Sequence, residues 1–261
     1  MREHYTTMLQ MALPHPRRSM RSNVVLLASA RNALTCSNCR LRDLCMPTGL
    51  SASETEALDD IVHARKRIPR GDALFHAGEG ATMLFAIRTG SFKTRITLAD
   101  GRDQVTGFAM SGELLGLDSM GSESHPSDAI ALEDSDVCLI PFSRLEKASN
   151  EIKSLRRHVH MLMSREIVRE NGMMLLLGSM RAEERLAAFL LNFSKRMAAR
   201  GFSALEFNLR MTREEIGSYL GLKLETVSRT FSRFHNEGII LVSQKHIQIL
   251  DIKTLMRMCS P

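Results

Sequence analysis

The sequence predicts an α+β protein in which a β-rich domain leads into one long helix and then into a helical domain that ends in a β-hairpin. Three patterns predict this order: closely spaced short apolar runs, an apolar repeat with alternating steps of four and three residues, and two short helices at helix-turn-helix spacing. The 261 residues are 44% apolar, which is enough for one large domain or two modest ones. No window holds the roughly 18 consecutive apolar residues that a membrane-spanning helix needs, so a membrane-spanning protein is excluded.

Residues 1–35 have no clear periodicity, and we expect them to form a mobile arm. The apolar run at 24–28 follows several arginines and resembles a secretory signal, but a signal needs an apolar run of roughly 7–15 residues. Five cysteines are an odd number, and three of them lie within ten residues, which suits a reducing compartment better than a disulfide framework. We therefore expect a cytoplasmic protein.

The spacing of Cys36, Cys39 and Cys45, C-x2-C-x5-C, is suited to ligands of one metal centre. A closed site needs a fourth ligand, and Cys138 is the main candidate, whereas Cys259 near the chain end is expected to be a spare thiol. The alternative for Cys138 is a buried structural role, because an unpaired cysteine behaves as a small apolar residue. The spacing does not distinguish zinc from an iron–sulfur cluster.

A β-rich region follows the cysteines, and the two together form the predicted domain 36–147. Turn signals such as Asp100-Gly101 separate short apolar runs at close spacing, a pattern typical of an all-β sandwich or barrel. The four clearest runs are 84–87, 96–98, 129–132 and 137–140.

A long helix is predicted over 148–180 because two stripes repeat at helical spacing. The first stripe has alternating steps of four and three and consists of Arg156, His160, Met163, Ile167, Glu170, Met174 and Leu177. The second consists of Leu155, Val159 and Leu162. The second stripe suits packing on the β-rich domain, and the first suits pairing with a second copy of the helix. The alternative is a helix that covers only its own domain.

Residues 181–261 form the last predicted domain and carry 13 Lys and Arg against 8 Asp and Glu, whereas the residues before them carry 22 against 21. A basic terminal domain favours a polyanion as partner, and nucleic acid above a membrane surface or an acidic protein. Its first helix is predicted over 182–199 and ends at Gly201, a residue typical of helix C-caps.

A helix-turn-helix is predicted within this domain. Thr212, with a glutamate three residues on, forms a capping box that starts a helix at Arg213. Gly217 allows two helices to cross closely, Gly221 ends the first helix, and 224–235 form the second. The alternative is an ordinary helical hairpin, which the basic surroundings and the two glycines disfavour.

Glu225, Ser228 and Arg229 share one face near the start of the second helix, where recognition helices contact bases. Arginine can donate two hydrogen bonds to guanine, glutamate can accept from cytosine, and serine is permissive. The alternative is an exposed ion pair between Glu225 and Arg229 that has no role. The runs 239–242 and 247–250 predict a hairpin, which is the wing of a winged helix-turn-helix.

A reader of DNA usually needs two-fold symmetry, so the first stripe of the long helix is expected to be the seam of a homodimer. Glu170 is a carboxylate in an otherwise mostly apolar seam, and in a two-fold dimer it would meet its own copy. Two like charges in a partly dry interface repel each other. The residues expected to control dimerisation are Glu170, Ile167, Met163 and Met174.

These features together resemble the CRP/FNR superfamily of bacterial transcription regulators, and within it the oxygen-sensing FNR-type proteins. The resemblance covers roughly residues 34–255 and is highly specific. It rests on GF at 107–108, GLD at 116–118, HPS at 125–127, AEERLAAF at 182–189, RGFS at 200–203, MTR at 211–213 and YLGL at 219–222. The fold it implies is a β-roll sensor domain like those that bind cyclic nucleotides, a dimerisation helix and a winged helix-turn-helix.

The resemblance also implies function: control of anaerobic metabolism genes, with no enzymatic activity and with RNA polymerase as a further partner. It implies one oxygen-labile [4Fe–4S] cluster per chain, with the ligands Cys36, Cys39, Cys45 and Cys138. The implied target is an inverted repeat of TTGAT half-sites. The expected DNA contacts are Glu225, Ser228 and Arg229, to which we add Thr212 and Arg213.

Three positions depart from the usual pattern. Glu170 stands where FNR-type proteins have an aspartate, which keeps the charge and lengthens the reach. Arg40 stands where a small residue is common, although Arg40 and Arg42 should modestly favour a cluster that carries net negative charge. Thr230 stands where an aliphatic residue is more usual in the second helix.

Three other functions compete with this one. Residues 112–114 resemble the turn that contacts the nucleotide in CRP, but where CRP has an arginine for the phosphate this chain has HPSD at 125–128, so we expect no cyclic nucleotide. A thiol-redox enzyme would use Cys36 and Cys39, but such motifs usually open a helix after a strand in a βαβ unit. A structural zinc site on a DNA-binding protein is the third.

Overall fold

The computed structural model describes residues 36, 39, 41–47, 50–62 and 64–259. The predicted arm at 1–35 and Arg40 lie outside the described residues. The chain divides into two compact units, 1–163 and 164–261. Among the described residues, no helix combines the length and the apolar character needed to cross a bilayer.

The described residues of the first unit form eight short strands in two antiparallel sheets. The strands are β1 (Ala64–Ile68), β2 (Ala73–Phe75), β3 (Met83–Thr89), β4 (Ser91–Thr97), β5 (Asp103–Met110), β6 (Leu114–Leu115), β7 (Asp128–Ala131) and β8 (Ser135–Pro141). One sheet has the order β1-β8-β3-β6 and the other has the order β2-β7-β4-β5. The four apolar runs of the sequence fall on β3, β4, β7 and β8 to within one residue, so the predicted region of short strands is confirmed.

The main core of this unit lies between the two sheets, and β8 shows how the sequence builds it. Val137 and Leu139 are buried in this core beside residues of both sheets. Cys138 and Ile140 alternate with them and therefore face the outer side of the first sheet.

A second core cluster lies on that outer side and joins the first sheet to three helices: α1 (Arg42–Cys45), α2 (Ala52–Asp59) and α3 (Phe142–Glu151). Leu58 of α2 and Leu145 of α3 are buried in it. Helix α2 begins with a capping box, in which the Ser51 hydroxyl accepts a hydrogen bond from the Glu54 amide at 3.2 Å.

The long helix α4 spans Lys153–Ser179, so it starts five residues after the predicted position. Residues 148–151 belong to α3 instead, because Ile152 adopts an extended conformation that ends α3. Leu155 is buried in the second core, and Val159 packs against the same cluster. Two of the three residues of the second stripe therefore pack on the β-rich domain, as predicted.

The second unit combines helices with a three-stranded sheet of order β10-β11-β9. After α4 its elements are α5 (Ala182–Ala198), β9 (Glu206–Asn208), α6 (Arg213–Leu220), α7 (Leu224–Asn236), β10 (Ile240–Ser243), β11 (His246–Ile249) and α8 (Ile252–Met258). The predicted helix boundaries hold to within one residue, and β10 and β11 pair as the predicted hairpin.

Two glycines shape the crossing of α6 and α7. A Cβ atom on Gly217 would lie 2.6 Å from the Leu222 carbonyl oxygen, so no larger side chain fits there without movement. Gly221 ends α6 at φ +63°, a left-handed conformation that favours glycine. Both predicted roles are confirmed.

The guanidinium group of Arg185 joins the end of α4 to this turn. It donates to the carbonyl oxygens of Leu177 at 2.8 Å, Met180 at 2.9 Å and Leu220 at 2.9 Å. The last carbonyls of a helix lack partners within it, and a cation suits them. Arg185 therefore links the last turns of α4 and α6.

Candidate metal centre and nucleic-acid interface

The four predicted cysteine ligands line one cavity in the first unit. Its volume is about 440 Å³, counting the space that opens to solvent. All four are free thiols and half-buried. The other residues that line the cavity are Leu41, Met46, Val62, Arg65, Ala86, Ile87, Arg88 and Ile140. Residues distant in sequence, Cys36 and Cys138, thus meet at one place.

Backbone hydrogen bonds position the three cysteines of the loop. The Cys39 amide donates to the Cys36 carbonyl at 3.1 Å, which holds these two cysteines close together. The Cys36 amide donates to the carboxylate of Asp59, at the end of α2. Cys45 ends α1, and its thiol donates to the Leu41 carbonyl at 3.1 Å. Asp59 could not be identified from the sequence, because nothing in the local sequence pattern links Asp59 to the loop.

The strand register positions the fourth cysteine. Cys138 lies in β8, directly opposite Arg65 of β1 on one side and Ala86 of β3 on the other. Residues paired in this way share one face of the sheet. The small side chain of Ala86 leaves room beside the Cys138 thiol, and the long side chain of Arg65 reaches into the cavity. Neither residue was identified from the sequence, which does not reveal which strands pair.

Burial favours the protonated form of two of these thiols, Cys36 and Cys138. Burial, together with the nearby groups of Cys138, Cys45 and Asp59, raises the pKa of Cys36 to about 12. Burial also raises the pKa of Cys138, while Arg65 acts in the opposite direction. A metal that binds here must therefore displace protons, since the thiolate is the ligand.

The predicted base-reading residues lie together on the exposed surface of α7. Glu225 and Arg229 are exposed and Ser228 is half-buried. In the described part of the chain, Glu225 and Arg229 form no ion pair, in contrast to the alternative that an ion pair is their only role. All three side chains are therefore available to a ligand.

Thr212 and Arg213, the other predicted DNA contacts, also shape the motif itself. The Thr212 hydroxyl accepts from the Glu215 amide at 3.1 Å and caps α6 as predicted. The Arg213 guanidinium lies 3.3 Å from the centre of the Phe231 ring, and burial lowers its pKa to about 10. It is thus charged at neutral pH and turned toward α7.

Thr230 stands where an aliphatic residue is more usual, and its hydroxyl group has a hydrogen-bond partner. Its side chain is buried, and its hydroxyl donates to the Thr226 carbonyl at 2.8 Å. A bond of this kind to the preceding turn replaces the solvation that burial removes. The departure from an aliphatic residue is therefore accommodated within α7.

The first stripe of α4 is exposed along its whole length. Met163 is 38% exposed, Ile167 61% and Met174 66%. The Glu170 side chain is 61% exposed, and its carboxylate lies 3.9 Å from the Arg169 guanidinium. Contiguous exposed apolar residues indicate an interaction surface.

Comparison with known proteins gives the family. A cyclic nucleotide-binding domain profile matches residues 65–151, and a Crp-like helix-turn-helix domain profile matches residues 184–258. The chain is 46% identical over 227 residues to the transcriptional regulatory protein btr of Bordetella pertussis, covering 87% of this chain and 94% of that protein. The chain belongs to the CRP/FNR family of transcription regulators.

Other CRP/FNR regulators are also similar to this chain over most of their length. The fumarate and nitrate reduction regulatory protein of Salmonella typhi is 46% identical over 217 residues, 83% of this chain and 87% of that protein. The structure of FixK2 from Bradyrhizobium japonicum matches with a TM-score of 0.70 and 32% identity, over 76% of this chain and 98% of that one. The predicted fold class is confirmed, and this CRP/FNR chain is a DNA-binding transcription regulator and not an enzyme.

Proposed function

We propose that this CRP/FNR regulator responds to oxygen. In the absence of oxygen a [4Fe–4S] cluster, held by Cys36, Cys39, Cys45 and Cys138, favours a homodimer that binds an inverted-repeat operator. The observation that carries the proposal is that the four thiols line one cavity. Four cysteine thiolates are the usual ligands of such a cluster.

The arrangement of the cavity favours an iron–sulfur cluster over a single zinc ion. Zinc needs its ligand sulfurs about 2.3 Å from one point. Among the described residues, no three side chains of the types that bind metals converge on one ion. Each thiolate of a cubane cluster binds a different iron atom, so the thiols can lie apart around a cavity. Two arginines in the wall also suit a group of net negative charge.

The same cavity disfavours a thiol-redox enzyme. A reactive thiol needs a pKa below its ordinary value, because the thiolate is the nucleophile. Burial has the opposite effect here and raises the pKa of Cys36 to about 12. Cys36 therefore suits ligation by a metal that displaces its proton.

The residues around the thiols suggest how binding of a cluster would affect α4, the proposed dimerisation helix. When bound, the cluster would supply an oxygen-labile covalent link between the cysteine loop and β8. Cys36 and Cys138 both border the core cluster that buries Leu155, in the first turn of α4. A cluster that orders the cysteine loop would therefore also influence the position of α4. The same helix carries the exposed first stripe.

We infer that a second copy of the chain covers this stripe. Ile167 and Met174 lie at coiled-coil spacing and are more than half exposed. Glu170 between them would meet its own copy, so its charge opposes association. Ligation of the cluster then tips a balance between monomer and dimer, which oxygen reverses.

The targets that we propose are genes of anaerobic metabolism. The names of relatives refer to fumarate and nitrate reduction and to electron transport, and we extend that class of genes to this chain. The operator would be an inverted repeat of TTGAT half-sites, read by Glu225, Ser228 and Arg229. RNA polymerase would be the further partner at these promoters.

A cyclic-nucleotide regulator is the second candidate, favoured by the match of the first unit to a cyclic nucleotide-binding domain. The stretch expected to meet the phosphate is occupied by internal contacts. His125 is buried and stacks on Phe75 at 3.8 Å between ring centres. The Asp128 carboxylate accepts from the Ala77 amide at 2.9 Å and from Arg95 at 3.1 Å. A second anion beside Asp128 would be repelled, so we keep the prediction that no cyclic nucleotide binds.

Protein purified without oxygen should carry about four iron and four sulfide per chain and lose both in air. Single changes of Cys36, Cys39, Cys45 or Cys138 to Ser should abolish assembly, because each removes one ligand. Cys259→Ser is the matched control, since this thiol lies in the second unit near the Glu184 carbonyl. The measurement is an assay of iron, sulfide and zinc in the wild type and in each variant. Stoichiometric zinc without sulfide, or a full cluster in Cys138→Ser, would contradict the proposal.

Glu170→Ala should dimerise and bind the operator in air without a cluster, because the repulsion in the seam is removed. A change of roughly 2–3 kcal/mol would tighten the dimer about thirty- to a hundredfold. The matched control is Glu166→Ala, which removes the same charge from the same helix outside the seam. Sedimentation and operator binding at equal concentrations measure the effect. A tight dimer of the aerobic wild type, or a monomeric Glu170→Ala, would show that the Glu170 carboxylate does not prevent dimerisation in air.

Arg229→Ala should weaken operator binding by roughly 1–3 kcal/mol and relax discrimination at one guanine of each half-site, because a bidentate contact is lost. Arg233→Ala is the control one turn along α7, since Arg233 is engaged by Glu183 and Glu237. Binding to matched and guanine-substituted operators is compared at fixed salt. An equal loss on both operators would make Arg229 a phosphate contact.

A further inference from the structure

One wall of the cysteine cavity carries a cation that faces the fourth thiol. Arg65 lies directly opposite Cys138 in the register of β1 and β8, and both residues line the cavity. The Nε atom of Arg65 is buried and has no hydrogen-bond partner among the described residues. A buried N–H group without an acceptor is costly, so such a group indicates a missing partner. The cavity is the place where that partner would lie.

Arg88, the other arginine of the cavity, is in a different situation. Its Nη1 atom donates to the Asp136 carboxylate at 3.1 Å, so its charge is already balanced by an acidic side chain. Arg65 instead lies directly opposite Cys138 in the strand register, and its buried Nε–H group has no acceptor among the described residues. Of the two cations, Arg65 is thus the one with an N–H group that lacks an acceptor among the described residues and lies in the same cavity wall as the Cys138 thiol.

We propose that Arg65 is a positioning residue for the cluster: its guanidinium group donates to the Cys138 sulfur and balances the negative charge of the bound group. This inference rests on the proposed function and deepens it. Positive charge and N–H donors near a cluster both stabilise its more negative, reduced state, so Arg65 raises the reduction potential. By holding the Cys138 side chain in place, Arg65 also slows the loss of iron.

The test uses the full chain, loaded and handled without oxygen, in four forms: wild type, Arg65→Gln, Arg65→Lys and Arg67→Gln. The last is the matched control, because Arg67 is on the same strand and its side chain is 79% exposed. Two quantities are measured, the midpoint potential of the bound cluster and the rate of iron loss to a chelator. Thermal unfolding of the unloaded forms reports whether each variant folds.

We expect a lower potential in Arg65→Gln and iron loss about 10- to 100-fold faster than in wild type. Arg65→Lys should keep a potential near that of wild type, because the charge remains, but should lose iron faster, because the planar fork is gone. If Arg65→Gln does not fold, Arg65→Lys carries the test. Arg67→Gln should match wild type in both measurements.

Two results would contradict the inference, and they are distinguishable. A fully loaded Arg65→Gln with the potential and iron retention of wild type would overturn the role of Arg65 and leave the proposed function intact. Wild type without iron and sulfide would overturn the proposed function, and the role of Arg65 with it.

Discussion

Side chains along β8 alternate between two cores, and the rest of the structure depends on this constraint. Val137 and Leu139 fill the space between the sheets, so Cys138 must face outward, toward the loop that carries the other thiols. A shift of the register by one residue would bury the thiol in the sandwich and place apolar side chains against the loop. The large apolar area buried by the main core therefore fixes the position of Cys138, the proposed fourth ligand.

The second core connects this thiol to the long helix. It holds Leu155 of α4 and borders Cys36 and Cys138, so the proposed ligand thiols and the start of the helix share one set of contacts. The other end of α4 is joined to the helix-turn-helix by Arg185, which bonds carbonyls of both. In the first unit the helix starts beside the proposed ligand thiols, and in the second unit its last turn is joined to the helix-turn-helix. This arrangement suits a sensor that acts through dimerisation.

The second unit could be predicted closely from the sequence because its signals are local. Thr212 caps α6 through a hydrogen bond with a residue three positions along the chain. Gly221 adopts a left-handed backbone conformation that favours glycine at that position itself. The start of α4 was less predictable, since the break at Ile152 interrupts a continuous helical pattern. The partners of Cys138 could not be predicted at all. Arg65 and Ala86 face it because of strand pairing between distant segments, which no local pattern reveals.

The central claim is that cluster ligation controls the dimer. It is tested most directly by exposing one anaerobic sample to increasing amounts of air and measuring iron content, mass in solution and operator binding on the same aliquots. The account predicts that the three fall together, with half-loss of the dimer at half-loss of iron. Complete loss of iron from a sample that keeps the mass of a dimer and its operator affinity would contradict it.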